Sequence, residues 1–524
     1  MSDEMTAAVQ ALIDRYGSAP INPAYVMVGN KNPDDPAAYF REKGTDRCVT
    51  YGELVSESSR WAQYFRQAGV EPGTRVAGFL PKGPALLFMV LGLWRLGAVY
   101  VPLFTAFGPD AVLYRVDHSG AHLVVITEAL QSRLPERLTA RIATVEEIVR
   151  QLGPSGVDDW VLRAPDDPFV LIYTSGTTGR PKGVPWPISM LSVIEAYMRW
   201  ALDVGPEDRY WNLADPGWAY GLAFALVGPW LIGQANHWFD QPFAPQVALD
   251  WIAYWKITHF AAAATVYRAI RAEGLVLPFT LRALSSAGEP LNPGISAWAE
   301  ETLGVPILDH YGQTEAGMPI NNHRAPALSR PVKSGSMGQA MPGFRAVVLD
   351  DDGHELPPGQ EGHLAIDVLN SPLFSFRGYY HDVEATEARF VGQGRYYLTG
   401  DEGSQDDEGH FFFASRSDDV ILTAGYRVGP FDVESVLMLH PAVAECAVVG
   451  VTDALRGQVI HAFVVLRPGY EPSPTLGSAL QEWVRARFAK TGYPRQVTFV
   501  PALPKTPSGK VQRFLLRQSV GEDA

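Results

Sequence analysis

Cysteine is nearly absent from this chain. The 524 residues include only two, Cys48 and Cys446, which lie far apart in the sequence. Two distant cysteines give neither a disulfide framework nor a cysteine-based metal site. We therefore expect each of them to be a small, buried apolar side chain.

The chain also lacks an excess of positive charge. Lys and Arg number 43 against 57 Asp and Glu, which gives a formal net charge of −14. A field of that sign repels nucleic acid and anionic membranes, so neither is expected as a partner. Any anionic ligand must instead be held locally, by loop amides, by a few Lys and Arg, or by a metal ion.

No uninterrupted hydrophobic run is long enough to cross a membrane. The most apolar stretch, Ala85 to Phe104, is broken by Arg95, Gly97 and Pro102. It is better explained as a buried helix followed by a buried strand. The acidic start, MSDEMTAAVQ, has no signal-peptide pattern. We expect a cytoplasmic protein without stable membrane insertion.

The order of apolar and amphipathic segments predicts an α/β fold. In the first three quarters, short apolar strands alternate with helical stretches, which is typical of parallel sheets covered by helices. A second such series follows Pro168. The clearest early segments are strand 75–80, helix 85–95, strand 98–103 and strand 123–127.

The character of the sequence changes near position 416. After the strand Phe411 to Ala414 comes a polar run, Ser415 to Asp419, and then a compact α/β unit. We predict a large N-terminal domain at 1–416, a hinge at 417–419 and a small mobile C-terminal domain at 420–524. The elements predicted for the small domain are helix 431–439, strands 444–449 and 461–466, and helix 476–490.

The most informative segment is Tyr-Thr-Ser-Gly-Thr-Thr-Gly-Arg-Pro-Lys-Gly at 173–183. It follows the apolar run Phe169 to Tyr173, so it leaves the end of a strand, where ligands of open α/β sheets bind. Hydroxyls, two glycines and one lysine together suit a polyphosphate. The segment is not a Walker A loop, because its lysine is preceded by proline and followed by glycine. The candidate phosphate ligands are Thr174, Ser175, Gly176, Thr177, Thr178, Gly179 and Lys182.

This string resembles the signature of the adenylate-forming superfamily, which includes acyl-CoA synthetases, peptide-synthetase adenylation domains and luciferases. Further family motifs follow in the family's order, so the resemblance spans nearly the whole chain. One departure is Pro185-Trp186-Pro187, where relatives often have a histidine. The resemblance implies an AMP-forming acyl-CoA synthetase that uses ATP, Mg²⁺ and coenzyme A on a small carboxylic acid.

The same resemblance implies the nucleotide ligands. Glu315 is expected to bind Mg²⁺, which prefers hard oxygen ligands, and Asp401 is expected to accept from both ribose hydroxyls. Thr314 and Arg427 are expected at the phosphates. The residues expected around adenine and ribose are Gly288, Glu289, Pro290, Asp309, His310, Tyr311, Gln313, Asp401 and Arg416.

The resemblance also implies a moving C-terminal domain. Asp418 matches the family's hinge, and Lys510 matches the lysine that catalyses adenylation together with Lys182 and Glu315. A mobile cation can neutralise the charge that builds when a carboxylate approaches a phosphate. In the second pose, Gly425 and Tyr426 are expected to receive coenzyme A.

The acyl pocket is expected around the segment Asn212 to Tyr220, which resembles acetyl- and medium-chain acyl-CoA synthetases. The expected wall residues are Trp218, Ala219, Tyr220, Ala287 and Gly312. In the acetyl enzymes a tryptophan stands where this chain has Gly312, so we expect extra room here. That favours a short-to-medium-chain, branched or aryl acid over acetate.

Two alternatives stay open at this point. One is a stand-alone adenylation enzyme that loads an acid onto a carrier protein, and the other is a non-catalytic nucleotide sensor. Gln313 and the 212–220 segment favour a CoA ligase over the first, and the presence of Lys182, Glu315 and Lys510 argues against the second. The sequence also leaves open whether the protein is a homodimer.

Overall fold

The computed structural model describes residues 2–42, 44–154, 156–174, 181–239, 241–276, 281–416, 419–423, 426–453, 457–488, 492–505 and 511–521. For Tyr426 and Arg427 it describes the backbone alone. The described residues form the expected α/β architecture, with a large N-terminal and a small C-terminal domain.

The first part of the chain builds a mostly parallel sheet. Its helices are α1 (Asp3–Gly17), α2 (Tyr51–Gln67), α3 (Pro84–Arg95), α4 (Pro109–Ser119) and α5 (Val145–Gln151). Its strands are β1 (Pro36–Glu42), β2 (Thr45–Thr50), β3 (Arg75–Phe79), β4 (Val99–Pro102), β5 (Leu123–Ile126), β6 (Arg141–Thr144), β7 (Pro168–Tyr173) and β8 (Gly183–Pro187).

Six of these strands form one sheet in the order β6-β5-β3-β4-β7-β8. All of its pairings are parallel except that of β7 with β8. The stretch that raised a membrane question is α3 followed by β4, and both are buried, as predicted. Pro84 starts α3, and Gly97 follows its end at φ +70°, a conformation that favours glycine.

The second part begins a larger sheet. Its helices are α6 (Met190–Ala196), α7 (Ala219–Gly221), α8 (Gly228–Leu231), α9 (Pro245–Trp255), α10 (Ala264–Ala272) and α11 (Pro293–Leu303). Single π-helical segments, Tyr197–Ala201 and Leu222–Val227, continue α6 and α7. The strands are β9 (Tyr210–Asn212), β10 (Asn236–Trp238), β11 (His259–Ala261), β12 (Ala283–Ala287), β13 (Ile307–Gln313), β14 (Gly317–Asn321) and β15 (Ser336–Ala340).

The third part completes that sheet. It contributes α12 (Val383–Glu387) and the strands β16 (Ala346–Leu349), β17 (Glu361–Asp367), β18 (Phe390–Val391), β19 (Tyr396–Gln405) and β20 (Phe411–Arg416). The order is β16-β17-β19-β20-β15-β14-β13-β12-β11-β9, with β18 on β19, whereas β10 lies in a separate three-stranded sheet with β1 and β2. Strands β9, β11, β12 and β13 are parallel, as predicted. From β13 onward the pairings are antiparallel, because three residues between β13 and β14 cannot form a crossover helix.

The C-terminal domain matches the predicted elements closely. Its strands are β21 (Ile421–Thr423), β22 (Tyr426–Val428), β23 (Val443–Asp453), β24 (Gly457–Leu466) and β25 (Gln496–Phe499). Its helices are α13 (Pro430–Leu437), α14 (Pro474–Arg487) and α15 (Arg513–Gly521). The sheet order is β22-β21-β24-β23, with β25 parallel to β24, and α13 and α14 pack on it.

The two cysteines differ in burial, and the described helices are short for a membrane span. Cys48 is exposed on β2, so its expected burial was wrong, whereas Cys446 packs partly buried against the C-terminal core. Alternate residues of the edge strand β2 face solvent, which explains why a small side chain there is not buried. Within the described ranges, every helix falls short of the length and apolar character that a membrane span needs.

Candidate active site

The predicted phosphate segment joins two antiparallel strands. Tyr173 at the end of β7 pairs with Gly183 at the start of β8. At the base of the segment, the Thr174 backbone N–H donates to the Lys182 carbonyl at 3.0 Å, and the Lys182 N–H donates to Thr174 Oγ1 at 3.3 Å. The structure therefore fixes both ends of this connection. The remaining predicted ligands, Ser175, Gly176, Thr177, Thr178 and Gly179, lie outside the described residues.

Lys182 and Glu315 approach each other across a tyrosine. The Lys182 ammonium lies 4.9 Å from the ring centroid of Tyr379, and the Tyr379 hydroxyl donates to Glu315 Oε1 at 2.7 Å. Burial and the Glu315 carboxylate raise the pKa of Tyr379, so its hydroxyl stays protonated and orients Glu315. Glu315 itself is buried. One oriented carboxylate beside a phosphate segment fits Mg²⁺, which usually takes one or two carboxylates plus phosphate oxygens.

Trp186, in the segment that departs from the family pattern, contacts the backbone next to Glu315. Trp186 on β8 is buried, and its indole N–H donates to the carbonyl of Thr314 at 2.8 Å. The bond attaches the connection between β13 and β14 to the strand that follows the phosphate segment. Trp186 therefore fixes the position of Thr314 and, through the next peptide, of Glu315.

A second cluster surrounds the carboxylate of Asp401. Tyr311 Oη and Gln313 Nε2 donate to Asp401 Oδ2 at 2.5 and 2.7 Å, and Arg416 Nη1 donates to Oδ1 at 3.0 Å. Strand register explains this meeting, because Asp401 pairs with Arg416 between β19 and β20. Tyr311 and Gln313 are two residues apart on β13, so their side chains share one face. Four residues that the sequence predicted around adenine and ribose are thus brought together.

Among the residues that the structure describes, three side chains already donate hydrogen bonds to the Asp401 carboxylate. An ionised carboxylate offers about four acceptor positions. A ribose diol that bonds both oxygens must therefore replace at least one of the present donors. Tyr311 and Gln313 share one oxygen, so one of them can be released while the other keeps its bond.

The predicted adenine segment has a mixed outcome. Gly288 has φ +93°, which favours glycine. The carboxylate of Glu289 accepts from the backbone N–H and hydroxyl of Thr265 and from Arg268 Nη2. Burial opposes ionisation, but Arg268 and Thr265 outweigh it and lower the pKa of Glu289. This side chain therefore anchors the start of α10, and the structure does not bring it to the Asp401 cluster. Pro290 follows, partly exposed.

Asp309 and Ser286 offer uncharged polar groups beside that segment. They pair directly between β12 and β13, so both side chains point to the same face of the sheet. Burial raises the pKa of Asp309 to about 8, so its carboxyl is largely protonated at neutral pH and can donate a hydrogen bond. The Ser286 hydroxyl is buried, and no described residue forms a hydrogen bond with it. Uncharged groups with spare hydrogen-bonding capacity fit the edge of a purine.

His310 points to the other face of β13. Its Nδ1 lies 2.6 Å from the hydroxyl of Tyr197, and its Nε2 lies 3.1 Å from the carbonyl of Asn322. Adjacent residues of a strand alternate between faces, so His310 faces away from Asp309 and Tyr311. The structure does not bring its ring to the ribose cluster.

The predicted acyl residues divide between two apolar clusters. Ala219, Tyr220 and Ala287 lie in the core that contains α6 and the segment after it. Trp218 packs instead in the apolar cluster on the first sheet. Its ring centroid lies 5.5 Å from that of Phe104 and 5.2 Å from that of Phe107. Trp218 and Tyr220 thus mark two sides of the region where α7 begins.

The expected free space beside Gly312 is not there. A Cβ at this position would lie 2.3 Å from the carbonyl oxygen of Gly317 and 2.3 Å from Met318 Sδ. The backbone irregularity between β13 and β14 brings Gly317 over this position. The expectation that a missing tryptophan leaves room for an acyl chain was therefore wrong. Gly312 is required by the close approach of the neighbouring strand.

Much of the predicted C-terminal machinery lies outside the described residues, namely Asp418, Gly425 and Lys510, with the side chains of Tyr426 and Arg427. The residues next to them are described and tightly paired. Arg513 donates to both Glu434 oxygens at 2.7 and 2.9 Å, and Arg517 donates to Asp419 at 2.8 Å. The last residue of the predicted hinge, Asp419, and helix α13 are thus tied to α15, which follows Lys510.

Four residues of the site escaped the sequence argument: Trp186, Tyr197, Met318 and Tyr379. Each acts through contacts with residues far away in sequence or across a strand, and none belongs to a charged motif. The one available signal was the unusual Pro185-Trp186-Pro187, where a large aromatic replaces the expected histidine.

Comparison with known proteins identifies the family of both domains. The family described as AMP-binding enzyme matches residues 27–380, and the AMP-binding enzyme C-terminal domain matches residues 432–510. Acetyl-coenzyme A synthetase of Bacillus subtilis is 36% identical over 510 residues, covering 92% of this chain and 86% of that protein.

Two solved structures extend the likeness to the fold. The acyl-CoA synthetase of Brucella canis matches with a TM-score of 0.77 and 40% identity, covering 99% of both chains. A benzoate CoA ligase from Burkholderia xenovorans LB400 matches with a TM-score of 0.83 and 28% identity, covering 95% of this chain and 100% of the other. The chain therefore belongs to the AMP-binding enzyme family, among the AMP-forming acyl-CoA synthetases, acid-thiol ligases that use ATP, Mg²⁺ and coenzyme A.

Proposed function

We propose that the enzyme activates a short-to-medium-chain, branched or aryl carboxylic acid. The acid and ATP give acyl-AMP and pyrophosphate, and the thiol of coenzyme A then takes the acyl group and releases AMP. One observation carries the assignment of sites: the two faces of β13 differ in chemistry. Asp309, Tyr311 and Gln313 face the Asp401 cluster, and His310 faces Tyr197 and the acyl residues. An acid and a nucleotide bound on these two faces would meet at the end of one strand.

The nucleotide would be held by charged groups at the strand ends. Lys182 and the segment 174–179 would bind phosphates, together with Thr314 and Arg427. Asp401 and Arg416 would bind the ribose, and Asp309 with Gly288 and Pro290 would border the adenine. Glu315, oriented by Tyr379, would hold Mg²⁺, which would neutralise phosphate charge when bound.

The proposed size of the acid rests on two small side chains and one flexible side chain at the acyl pocket. Ala219 and Ala287 are small, and Met318 is an unbranched thioether that can adapt to different acyl shapes. Tyr220 limits the depth of the pocket. These features support acids larger than acetate without relying on Gly312.

The two half-reactions would use two poses of the C-terminal domain. The domains would be 1–416 and 420–524, joined by a hinge at 417–419 that contains Asp418. Lys510 would serve adenylation, and Gly425 with Tyr426 would meet coenzyme A. The Asp419–Arg517 and Glu434–Arg513 pairs support this, because they would make Asp419 at the end of the hinge, and α13 beyond it, move with α15. Location in the cytoplasm, where ATP and coenzyme A are available, belongs to the same proposal.

A panel of carboxylic acids with ATP, Mg²⁺ and coenzyme A tests the substrate class. We expect pyrophosphate and AMP with acids of about four to eight carbons or with aryl acids, and weaker release with acetate. Equal or better use of acetate would refute the class. The variant Lys510→Ala tests the two poses: adenylation should be lost, while thioester formation from supplied acyl-AMP should largely survive. Equal loss of both half-reactions would contradict the assignment of Lys510.

A further inference from the structure

The acyl side of the site contains a chain of three hydrogen-bonded groups. The Tyr220 hydroxyl lies 3.1 Å from the Tyr197 hydroxyl, which lies 2.6 Å from His310 Nδ1. At its far end, His310 Nε2 lies 3.1 Å from the carbonyl oxygen of Asn322. Tyr197 and His310 are buried, whereas Tyr220 keeps part of its surface exposed.

The Asn322 carbonyl at the end of this chain determines which group donates each hydrogen bond. A carbonyl oxygen only accepts, so His310 must carry its proton on Nε2. Burial lowers the pKa of His310 to about 3, so the ring is neutral and its Nδ1 is an acceptor. Tyr197 must then donate to Nδ1, and its oxygen accepts the proton of Tyr220. The Tyr220 oxygen is left with acceptor capacity alone.

A second polar group lies beside Tyr220. Ser285 points to the same face of the sheet as Ala287 and His310, because Ala287 pairs with His310 and lies two residues from Ser285. Its hydroxyl is buried, and no described residue gives it a hydrogen bond of good geometry. Burial raises the pKa of Tyr220 to about 12, and the neighbouring Ser285 hydroxyl opposes that rise, which places the two hydroxyls close together. Buried polar groups without a partner are uncommon and call for an explanation.

We propose that Tyr220 and Ser285 form a polar subsite in the acyl pocket that selects a carboxylic acid bearing a hydroxyl group. A substrate hydroxyl can donate to the Tyr220 oxygen and accept from the Ser285 hydroxyl, so it satisfies both atoms at once. An unsubstituted acid leaves the Tyr220 oxygen and the Ser285 hydroxyl with no partner except each other. An acid with only a carbonyl oxygen at this place can accept from Ser285 but offers no donor to the Tyr220 oxygen, so it is disfavoured. This inference rests on the proposed acyl pocket and narrows its substrate class.

The test compares matched acids by pyrophosphate release at low acid concentration, which gives kcat/KM. Each unsubstituted acid of the panel is paired with its positional hydroxy isomers and their keto counterparts. A site built to bond a hydroxyl discriminates strongly against the analogue that lacks it, so we expect at least one hydroxy acid to exceed its parent by about tenfold or more. Tyr220→Phe and Ser285→Ala should each reduce that ratio by about five- to tenfold.

Tyr197→Phe provides a readout that loss of packing alone would not move. Without the Tyr197 oxygen, the Tyr220 proton is free to be donated. The preference for the hydroxy acid over its keto counterpart should then fall several-fold, mainly through better use of the keto acid. Tyr51→Phe, which removes a buried hydroxyl that donates to the Gln234 carbonyl, is the matched control and should leave all ratios unchanged.

The outcomes separate this inference from the proposed function. Pyrophosphate release with unsubstituted acids and no preference for any hydroxy acid would overturn the polar subsite alone, as would a preference that persists in both Tyr220→Phe and Ser285→Ala. If no acid supports pyrophosphate release, the proposed substrate class fails and the subsite fails with it. Ser285→Ala removes one oxygen atom and keeps the test decisive if a tyrosine variant does not fold.

Discussion

The two faces of β13 carry different kinds of chemistry although their residues alternate along one strand. On one face, Tyr311 and Gln313 donate to the side chain of Asp401, which also accepts from the Arg416 guanidinium. On the other, His310 ends a chain of neutral hydroxyls that leads to Tyr220. Charge-assisted bonds are shorter and stronger than neutral ones, so the first face suits tight binding of a common nucleotide. Neutral bonds cost less to rearrange, which suits the face that must distinguish one acid from another.

The largest effect is expected from Gly312→Trp, which places an indole on the acyl face of β13. Its Cβ would lie 2.3 Å from a backbone oxygen that cannot move aside, so we expect at least about 3 kcal/mol of lost unfolding free energy. Gly312→Ala should lose part of that amount. Gly108→Ala is the control, because a Cβ there meets open space, and it should cost no more than about 1 kcal/mol. Urea unfolding measures all three, and a fully stable tryptophan variant that prefers acetate would restore the open-pocket interpretation of Gly312.

On the ionic face, Asp401→Asn should produce the largest functional loss. Its amide nitrogen would have to face either Arg416 or the Tyr311–Gln313 pair, and all three are donors. Losing charge-assisted bonds of this kind should lower kcat/KM for ATP about a hundredfold. Asp406→Asn is the matched control on the same hairpin, since Asp406 pairs with Lys333 near the surface. Unchanged ATP kinetics in Asp401→Asn would exclude a ribose role.

The sequence predicted the residues on the Asp401 face of β13 far better than those on the His310 face. Asp401, Arg416 and the Tyr311–Gln313 pair belong to three separate motifs, and strand register brings Asp401 and Arg416 together. The neutral face depends on Tyr197, which no motif contains, and on contacts between residues more than a hundred positions apart. Glu289 and His310 differ from the expectation because each side chain bonds a partner away from the Asp401 cluster, Glu289 to Arg268 and His310 to Tyr197. Local patterns predict elements and charged motifs, but not which neutral side chains meet across a sheet.

Glu315→Gln should have a smaller effect, limited to the Mg²⁺ dependence of pyrophosphate release. The amide keeps the shape and can still accept from Tyr379, but it removes a charged hard ligand. We expect the Mg²⁺ concentration for half-maximal pyrophosphate release to rise about tenfold. Glu355→Gln, which breaks a partly exposed pair with Arg345, should leave it unchanged. An unaltered Mg²⁺ dependence in Glu315→Gln would refute the ligand role.

The smallest effect is expected from Trp186→Phe, which asks whether the support beneath Thr314 matters for nucleotide binding. The substitution removes the indole N–H that donates to the Thr314 carbonyl and should cost about 1–2 kcal/mol of stability. Since Thr314 precedes Glu315, we also expect a few-fold rise in KM for ATP. Trp94→Phe is the control, because Trp94 is equally buried and donates to the Phe169 carbonyl at the far end of β7. It should lose similar stability without changing KM. If both variants raise KM alike, the effect is general loosening, and Trp186 does not position the site.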